Sequence, residues 1–351
     1  MRHTRTGSKN GKQKNDLQNK SLPTFARVTS RLALYLLLAL AACHTAPDQP
    51  AENSAAATHH TVRDDLGRLV RLPTRPRRVV SLAPSMTEML FAVADPAQLV
   101  GRTQNCNYPA AALKLPVVNA YPLDVEALVK LRPDAVFSVE GMTSPGHLAQ
   151  LAELGIPVYQ QAYDSVVDIP RGLQELGRLL GREERGKAVA DSLRESLESM
   201  RSYLQSIRSR GDSAAKPLRI LAITWTDPIY VYGYPTLFSD ALRWVGNENA
   251  VWPSIAQPFP VLPRETVLKL NPDVLIGGDF AALDSTLFRK YPELKQISAY
   301  RTRGIYAVDD DLLSRPSPRI GRLLRALFAP PPQKIKSTVR FVAPPKAASR
   351  Q

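Results

Sequence analysis

The chain has two cysteines and five histidines in 351 residues, and no uncharged apolar run nears the roughly 20 residues of a bilayer span. Each shortage removes a class of protein. Two thiols cannot build a disulfide-stapled scaffold. Tight binding of bare zinc or manganese calls for several imidazole or thiolate ligands. Of the histidines, His3, His44, His59 and His60 lie near the start, so only His147 remains in the body. There is no Gly-x-Ser-x-Gly elbow, phosphate-binding loop or metal-ligand spacing, and Ser81 and Ser85 have no histidine near them in sequence. Glu88, Glu140 and the Asp309-Asp310-Asp311 run are the only acids that suggest acid–base chemistry. Glu88 is accounted for by Ser85-Met-Thr-Glu88, which has the form of a capping box. The chain is therefore not expected to be an enzyme.

What is present is the composition of a soluble globular protein: 44% hydrophobic and 22% charged. The formal charge of +14 suggests nucleic acid only if it is spread over the folded surface. It is not. Residues 1–42 hold eight Lys/Arg and one acid, and residues 333–351 hold five Lys/Arg and no acid; removing +7 and +5 from +14 leaves +2 for the body. Nucleic-acid binding is excluded on that ground.

The ends carry an address. Leu32 to Leu40, preceded by Arg27 and Arg31, reads as the apolar core of an export signal. Leu40-Ala41-Ala42-Cys43 then resembles the lipobox of bacterial lipoproteins, in which the signal is cut before a cysteine that carries lipid. The reading is a signal peptide over 1–42, a membrane anchor on Cys43, and an extracytoplasmic mature chain. Residues 43–61, rich in Ala, Pro, Asn and Thr, read as a flexible tether that includes His59 and His60. Residues 330–351, with proline clusters and scattered basic residues, read as a disordered basic tail.

Between Val79 and Gly278, short β-branched runs alternate with amphipathic stretches, the pattern of α/β folds with parallel sheets. Strands are predicted at Val79–Leu82, Leu99–Arg102, Ala135–Val139, Pro157–Gln160, Arg219–Thr224, Val274–Ile276 and Ile305–Val308. Ser317-Pro318 is predicted to cap a helix through Leu323, Leu324 and Leu327. From Arg182 to about Arg208 there is no proline, and Val189, Leu193, Leu197, Met200, Leu204 and Ile207 form one stripe. At about 1.5 Å per residue, roughly 27 residues span about 40 Å, enough to bridge two lobes.

Internal repetition supports two lobes. Asp124-Val-Glu-Ala-Leu-Val-Lys-Leu-Arg-Pro-Asp134 and Pro263-Arg-Glu-Thr-Val-Leu-Lys-Leu-Asn-Pro-Asp273 share Glu, Lys, Leu, Pro and Asp in register. Each reads as a short helix that ends before a Pro-Asp turn feeding an apolar strand. Glu126 and Glu265 occupy the same place in the first helical turn, where an acid favours the helix by about 0.3 to 1 kcal/mol. One such pair, one per lobe, also invites a partner that touches both lobes. The expected architecture is an N-terminal α/β lobe over 62–180, a linking helix over 181–211 and a C-terminal α/β lobe over 212–329.

Taken together, Arg78-Val-Val-Ser-Leu-Ala-Pro-Ser-Met-Thr-Glu88, Leu99-Val-Gly101, the two repeated units and Arg315-Pro-Ser-Pro-Arg-Ile320 resemble the cobalamin-type substrate-binding proteins of ABC importers over about residues 62–328. The resemblance implies two Rossmann-like parallel-sheet lobes on a helical backbone, with the transported ligand in the cleft. It also implies that Glu126 and Glu265 dock onto the membrane permease, and that one copy of the chain suffices. Relatives in the superfamily take haem or ferric siderophores, so these remain alternatives to cobalamin (vitamin B12).

Ligands in open α/β sheets bind beyond the carboxyl ends of the strands. The loops there carry aromatics: Tyr108, Tyr121, Trp225, Tyr230, Tyr232, Tyr234 and Phe259. The expected ligand residues are Ser85, Asn105, Tyr108, Tyr121, Trp225, Phe259, Asp310 and Arg315. Asn105, Ala120 and Val139 stand where the family has first-lobe aromatics, with Tyr108 and Tyr121 as nearby substitutes. Haem would want an axial Tyr108, Tyr121 or His147. A siderophore would want several arginines, and only Arg102 and Arg315 are candidates.

Overall fold

The computed structural model describes residues 58–209 and 216–328. Cys43, the expected signal, the tether up to residue 57, residues 210–215 and the tail from residue 329 lie outside them. The first described element is a hairpin of β1 (His59–Arg63) and β2 (Leu69–Pro73), paired in antiparallel register from His59↔Pro73 to Arg63↔Leu69. It begins within the stretch expected to be tether. Asp64 fixes the turn, accepting from the Leu66 and Arg68 amides and from the Arg68 guanidinium. Val62, Val70 and Leu72 then go into the core.

The first lobe comprises β3 (Val79–Ser81), α1 (Pro84–Val93), β4 (Leu99–Thr103), β5 (Val117–Val118), α2 (Val125–Lys130), β6 (Ala135–Val139), α3 (Pro145–Glu153), β7 (Val158–Gln161) and α4 (Asp168–Leu179). Its five strands form one parallel sheet in the order β5-β4-β3-β6-β7. Helix α5 (Glu183–Ser209) matches the predicted 27-residue rod. The second lobe follows: β8 (Arg219–Thr226), β9 (Ile229–Val231), α6 (Leu237–Trp244), β10 (Glu248–Asn249), α7 (Arg264–Leu270), β11 (Val274–Ile276), α8 (Phe280–Ser285), α9 (Leu287–Lys290), α10 (Ser298–Arg301), β12 (Ile305–Tyr306), α11 (Asp310–Ser314) and α12 (Ile320–Phe328). Here β10-β8-β11-β12 are parallel, and β9 lies antiparallel on β8. Helix α12 starts three residues beyond the predicted Ser317 cap. Ser317 Oγ instead accepts from the Arg319 amide, and its carbonyl accepts from Ile320, which makes a turn ahead of the helix.

The repeated units fold alike, down to their hydrogen bonds. Arg132 (φ 46°) and Asn271 (φ 42°), equivalent in the alignment, both take the left-handed conformation just past α2 and α7. Asparagine adopts that conformation readily; arginine does so less often. In each lobe an arginine at the start of an interior strand holds the helix end: Arg78 donates to the Leu131 and Arg132 carbonyls, and Arg219 to the Leu270 carbonyl. The Pro-Asp aspartate then accepts from the start of the neighbouring strand, Asp134 from the Arg78 amide and Asp273 from the Arg219 amide, each at 2.9 Å.

Helix α4 ends in a Schellman turn, in which Gly181 (φ 67°) and Arg182 donate back to Arg178 and Gly177. The chain reverses into α5, and the two helices meet at Gly177 and Gly186. A β-carbon on Gly186 would lie 2.7 Å from Gly177 Cα and 3.0 Å from the Leu173 carbonyl. One hydrophobic cluster joins residues of both lobes through Ala190, Leu197 and Leu204 of α5. Gly186→Ala is therefore expected to lower unfolding free energy by about 1–3 kcal/mol through overpacking. Gly146→Ala, where an added β-carbon meets nothing within 4 Å, is expected to leave stability equal or higher by up to about 1 kcal/mol. Urea denaturation of the two variants measures the contrast.

Candidate functional site

Local sequence suggests Ser85 as the cap of α1, but the cap lies two residues earlier. Ala83 is the cap residue, with no side-chain bond, and Pro84 occupies the first turn. The capping-box reading of Glu88 is thereby overturned. Its side chain, only 1% exposed, points inward and meets two guanidinium groups from the far end of the chain. Arg319 donates from Nε to Glu88 Oε2 at 2.7 Å and from Nη2 to Oε1. Arg315 Nη1 lies 3.4 Å from Oε1. This contact raises the Arg319 pKa further above its ordinary value, chiefly through the hydrogen bond to Glu88.

Arg315 is the hub. It is 8% exposed, donates to Asn107 Oδ1 at 2.6 Å and to the Asn105 carbonyl at 3.2 Å, and pairs with Asp311 at 2.6 Å. Asn107 in turn donates to Asp311 at 3.3 Å. Loops beyond β3 and β4 are thus stitched to α11 across the lobe boundary. A second stitch runs from the Val166 amide to Asp240 at 2.8 Å.

Against this network lies a cavity of about 540 Å³, within the range of small-molecule sites. Pro84, Ser85, Gln104, Asn105, Asn107 and Met142 line it from the first lobe, and Asp311, Ser314 and Arg315 from the second. The first-lobe residues follow the carboxyl ends of β3, β4 and β6, as the parallel-sheet rule requires. Ser85, Asn105 and Arg315 meet here. Tyr121, 66% exposed, sits beside them, its hydroxyl 3.4 Å from the Met142 carbonyl. Trp225 and Phe259 are exposed on the second lobe. Phe259 leans on Tyr232, with centroids 5.6 Å apart, and Tyr232 on Phe238. Burial, helped by the charge of Asp310, pushes the Tyr232 phenol up to about 12.

Of the eight expected residues only Ser85, Asn105 and Arg315 line the cavity; Tyr108, Tyr121, Trp225, Phe259 and Asp310 do not. Asp310 is exposed and does not line the cavity; Asp311, one position on, does, because the i,i+4 spacing on α11 sets it against Arg315. Tyr108 lines a second cavity, its ring 4.4 Å beneath the Arg319 guanidinium. Arg102 is no cleft residue either. It is buried and donates to the Ala112 and Thr103 carbonyls. Gln104 and Asn107 also line the cavity; bonds to Arg315 and Asp311 from the other lobe bring Asn107 into the network, and bonds to Arg315 and Arg319 bring in Glu88, none of which local sequence signals.

Two parallel-sheet lobes, one connecting rod and a polar cavity between them define a two-lobed binding protein. The Periplasmic binding protein family matches residues 79–312, and the chain belongs to that family. It is 28% identical over 297 residues to an ABC transporter substrate-binding lipoprotein of Bacillus subtilis, covering 81% of this chain and 91% of that one. A vitamin B12-binding protein of Vibrio cholerae is 26% identical over 252 residues, 72% of this chain and 87% of its own length. Among solved structures, a periplasmic haem-binding protein of Roseiflexus superposes with a TM-score of 0.62 at 27% identity, covering 72% of this chain and 98% of that one. These relatives are binding proteins, not enzymes.

Replacing a buried ion's counter-charge leaves the partner uncompensated, at about 3–5 kcal/mol. Glu88→Gln is expected to lower stability by that amount in chemical denaturation, because two arginines lose their carboxylate. A loss under about 1 kcal/mol would show that water compensates them.

Proposed function

We propose that this chain is a lipid-anchored, extracytoplasmic substrate-binding protein that captures cobalamin between its lobes and delivers it to the permease of an ABC importer. The observation that carries the reading is the chemistry of the 540 Å³ cavity. Beside Pro84 and Met142, its lining side chains are neutral amides and hydroxyls, except for Asp311 and Arg315, which already neutralise each other. A corrin with apolar faces and an amide fringe suits such a wall; a ligand recognised by several anionic groups would want free cations. Exposed Trp225, Phe259 and Tyr121 supply apolar area for the macrocycle. The vitamin B12-binding relative supports the same choice. Cys43 behind its apolar run, together with the lipoprotein name of the Bacillus relative, supports the anchor.

Glu126 and Glu265 support docking. Each lies in the first turn of its repeated helix, with side chains 80% and 63% exposed. Glu126 pairs with Lys130 at 2.7 Å and Glu265 with Arg264 at 2.9 Å, surface contacts that a permease arginine can displace at small cost.

Calorimetric titration of the chain with cyanocobalamin, haemin and a ferric siderophore tests the cargo. Cyanocobalamin is expected to bind, and Trp225→Ala or Phe259→Ala to weaken it about ten- to hundred-fold, the loss typical of aromatic anchors. Saturation by haemin instead, with no heat from cyanocobalamin, would transfer the reading to haem. The Glu126→Arg, Glu265→Arg double variant is expected to abolish uptake in vesicles carrying the cognate permease while leaving ligand affinity unchanged. Weakened ligand binding in that variant would defeat the docking assignment.

A further inference from the structure

A second cavity, of about 420 Å³, lies on the other side of the Glu88 ion cluster. Its walls combine three guanidinium groups, Arg319, Arg322 and Arg325, with the apolar faces of Phe91, Leu193 and Tyr108. The arginines recur every three residues at the start of α12 and along it, so they share one side. Glu88 is the only carboxylate in the lining, and it is spent on Arg319 and Arg315. Arg322 and Arg325 have no ion-pair partner among the described residues. Tyr108 holds its ring against Arg319, which fixes that guanidinium in place. Three cations around one occupied carboxylate leave an uncompensated positive potential in a concave, partly apolar site, the setting in which planar guanidinium forks recognise phosphate or carboxylate.

We propose that this cavity binds a small organic anion, one phosphate or carboxylate head on an apolar body about the size of a single ring. The head bridges Arg322 and Arg325, with Arg319 behind it, and the body rests on Phe91, Leu193 and Tyr108. This site is distinct from the cavity between the lobes, and it does not depend on what that cavity carries. Glu88 lies between them, bonded to Arg315 of the first lining and Arg319 of the second.

Phenyl phosphate is the probe, with phenol and inorganic phosphate as partial probes, each titrated calorimetrically into the whole chain. Phenyl phosphate is expected to bind saturably at submillimolar concentration, at least about ten-fold tighter than either partial probe. The Arg322→Ser, Arg325→Ser double variant changes only exposed side chains, and circular dichroism confirms its fold. It is expected to weaken phenyl phosphate about ten-fold or more and to leave titration with cyanocobalamin as it was. Absence of saturable binding, equal binding by phenol, or undiminished binding to the double variant would overturn the assignment. So would competitive displacement by cyanocobalamin, which would locate the anion between the lobes.

Discussion

Glu88 is a carboxylate that water cannot reach, and an isolated charge in that position would cost many kcal/mol. It persists because Arg319 and Arg315 reach it from the last elements of the described chain. The cost of burial is thereby converted into a geometric requirement. If the lobes part at this point, Glu88 and Arg319 lose each other while Arg315 keeps only Asp311, and the hydration that would replace the lost contacts needs an opening wide enough for water. The gain in net stability from such a cluster is small, whereas breaking it by removing one partner is costly.

The same cluster decides what the cavity offers. Arg315 looks from sequence like a cation free to meet a ligand, yet Glu88, Asp311, Asn107 and the Asn105 carbonyl already claim it. Its role at the cavity wall is to hold Asn105 and Asn107 in place, which leaves neutral groups for recognition. Under the proposed function, Tyr121, Trp225 and Phe259 supply the apolar attraction. These side chains stay in solvent instead of filling a core, and covering a large aromatic contributes about 25 cal/mol per Å² removed from water.

The sequence made the scaffold legible where one physical signal dominated. Buried parallel strands appear as continuous apolar runs, and Ala135–Val139 and Val274–Ile276 coincide with β6 and β11. The stripe on α5 has the helical period over its whole length. The hairpin at His59 was hidden because a single antiparallel pair at the edge of a polar segment has too few apolar positions to alternate visibly. The pairs β5 and β10, two residues each, have no period at all. Glu88 failed for a different reason: two readings fitted the same four residues, and a helix start displaced by two positions separates a cap from a buried ion. Asp310 and Asp311 were confused in the same way, because neighbours on one turn of helix face directions about 100° apart.

The duplication explains why matched acids sit on the two lobes. In each half, an arginine at the start of an interior strand, a left-handed residue and a Pro-Asp aspartate fix the end of a short helix against the sheet. That anchoring is rigid at the helix's C-terminal end, so the first turn, with Glu126 or Glu265, is held out from the lobe at a fixed angle. Because α5 and the continuous core restrain one lobe against the other, the distance between the two acids becomes a property of the fold instead of a fluctuating quantity. A partner with two basic sites at the matching separation then gains from both contacts with little added ordering cost, whereas either glutamate alone would be an ordinary exposed charge worth well under 1 kcal/mol.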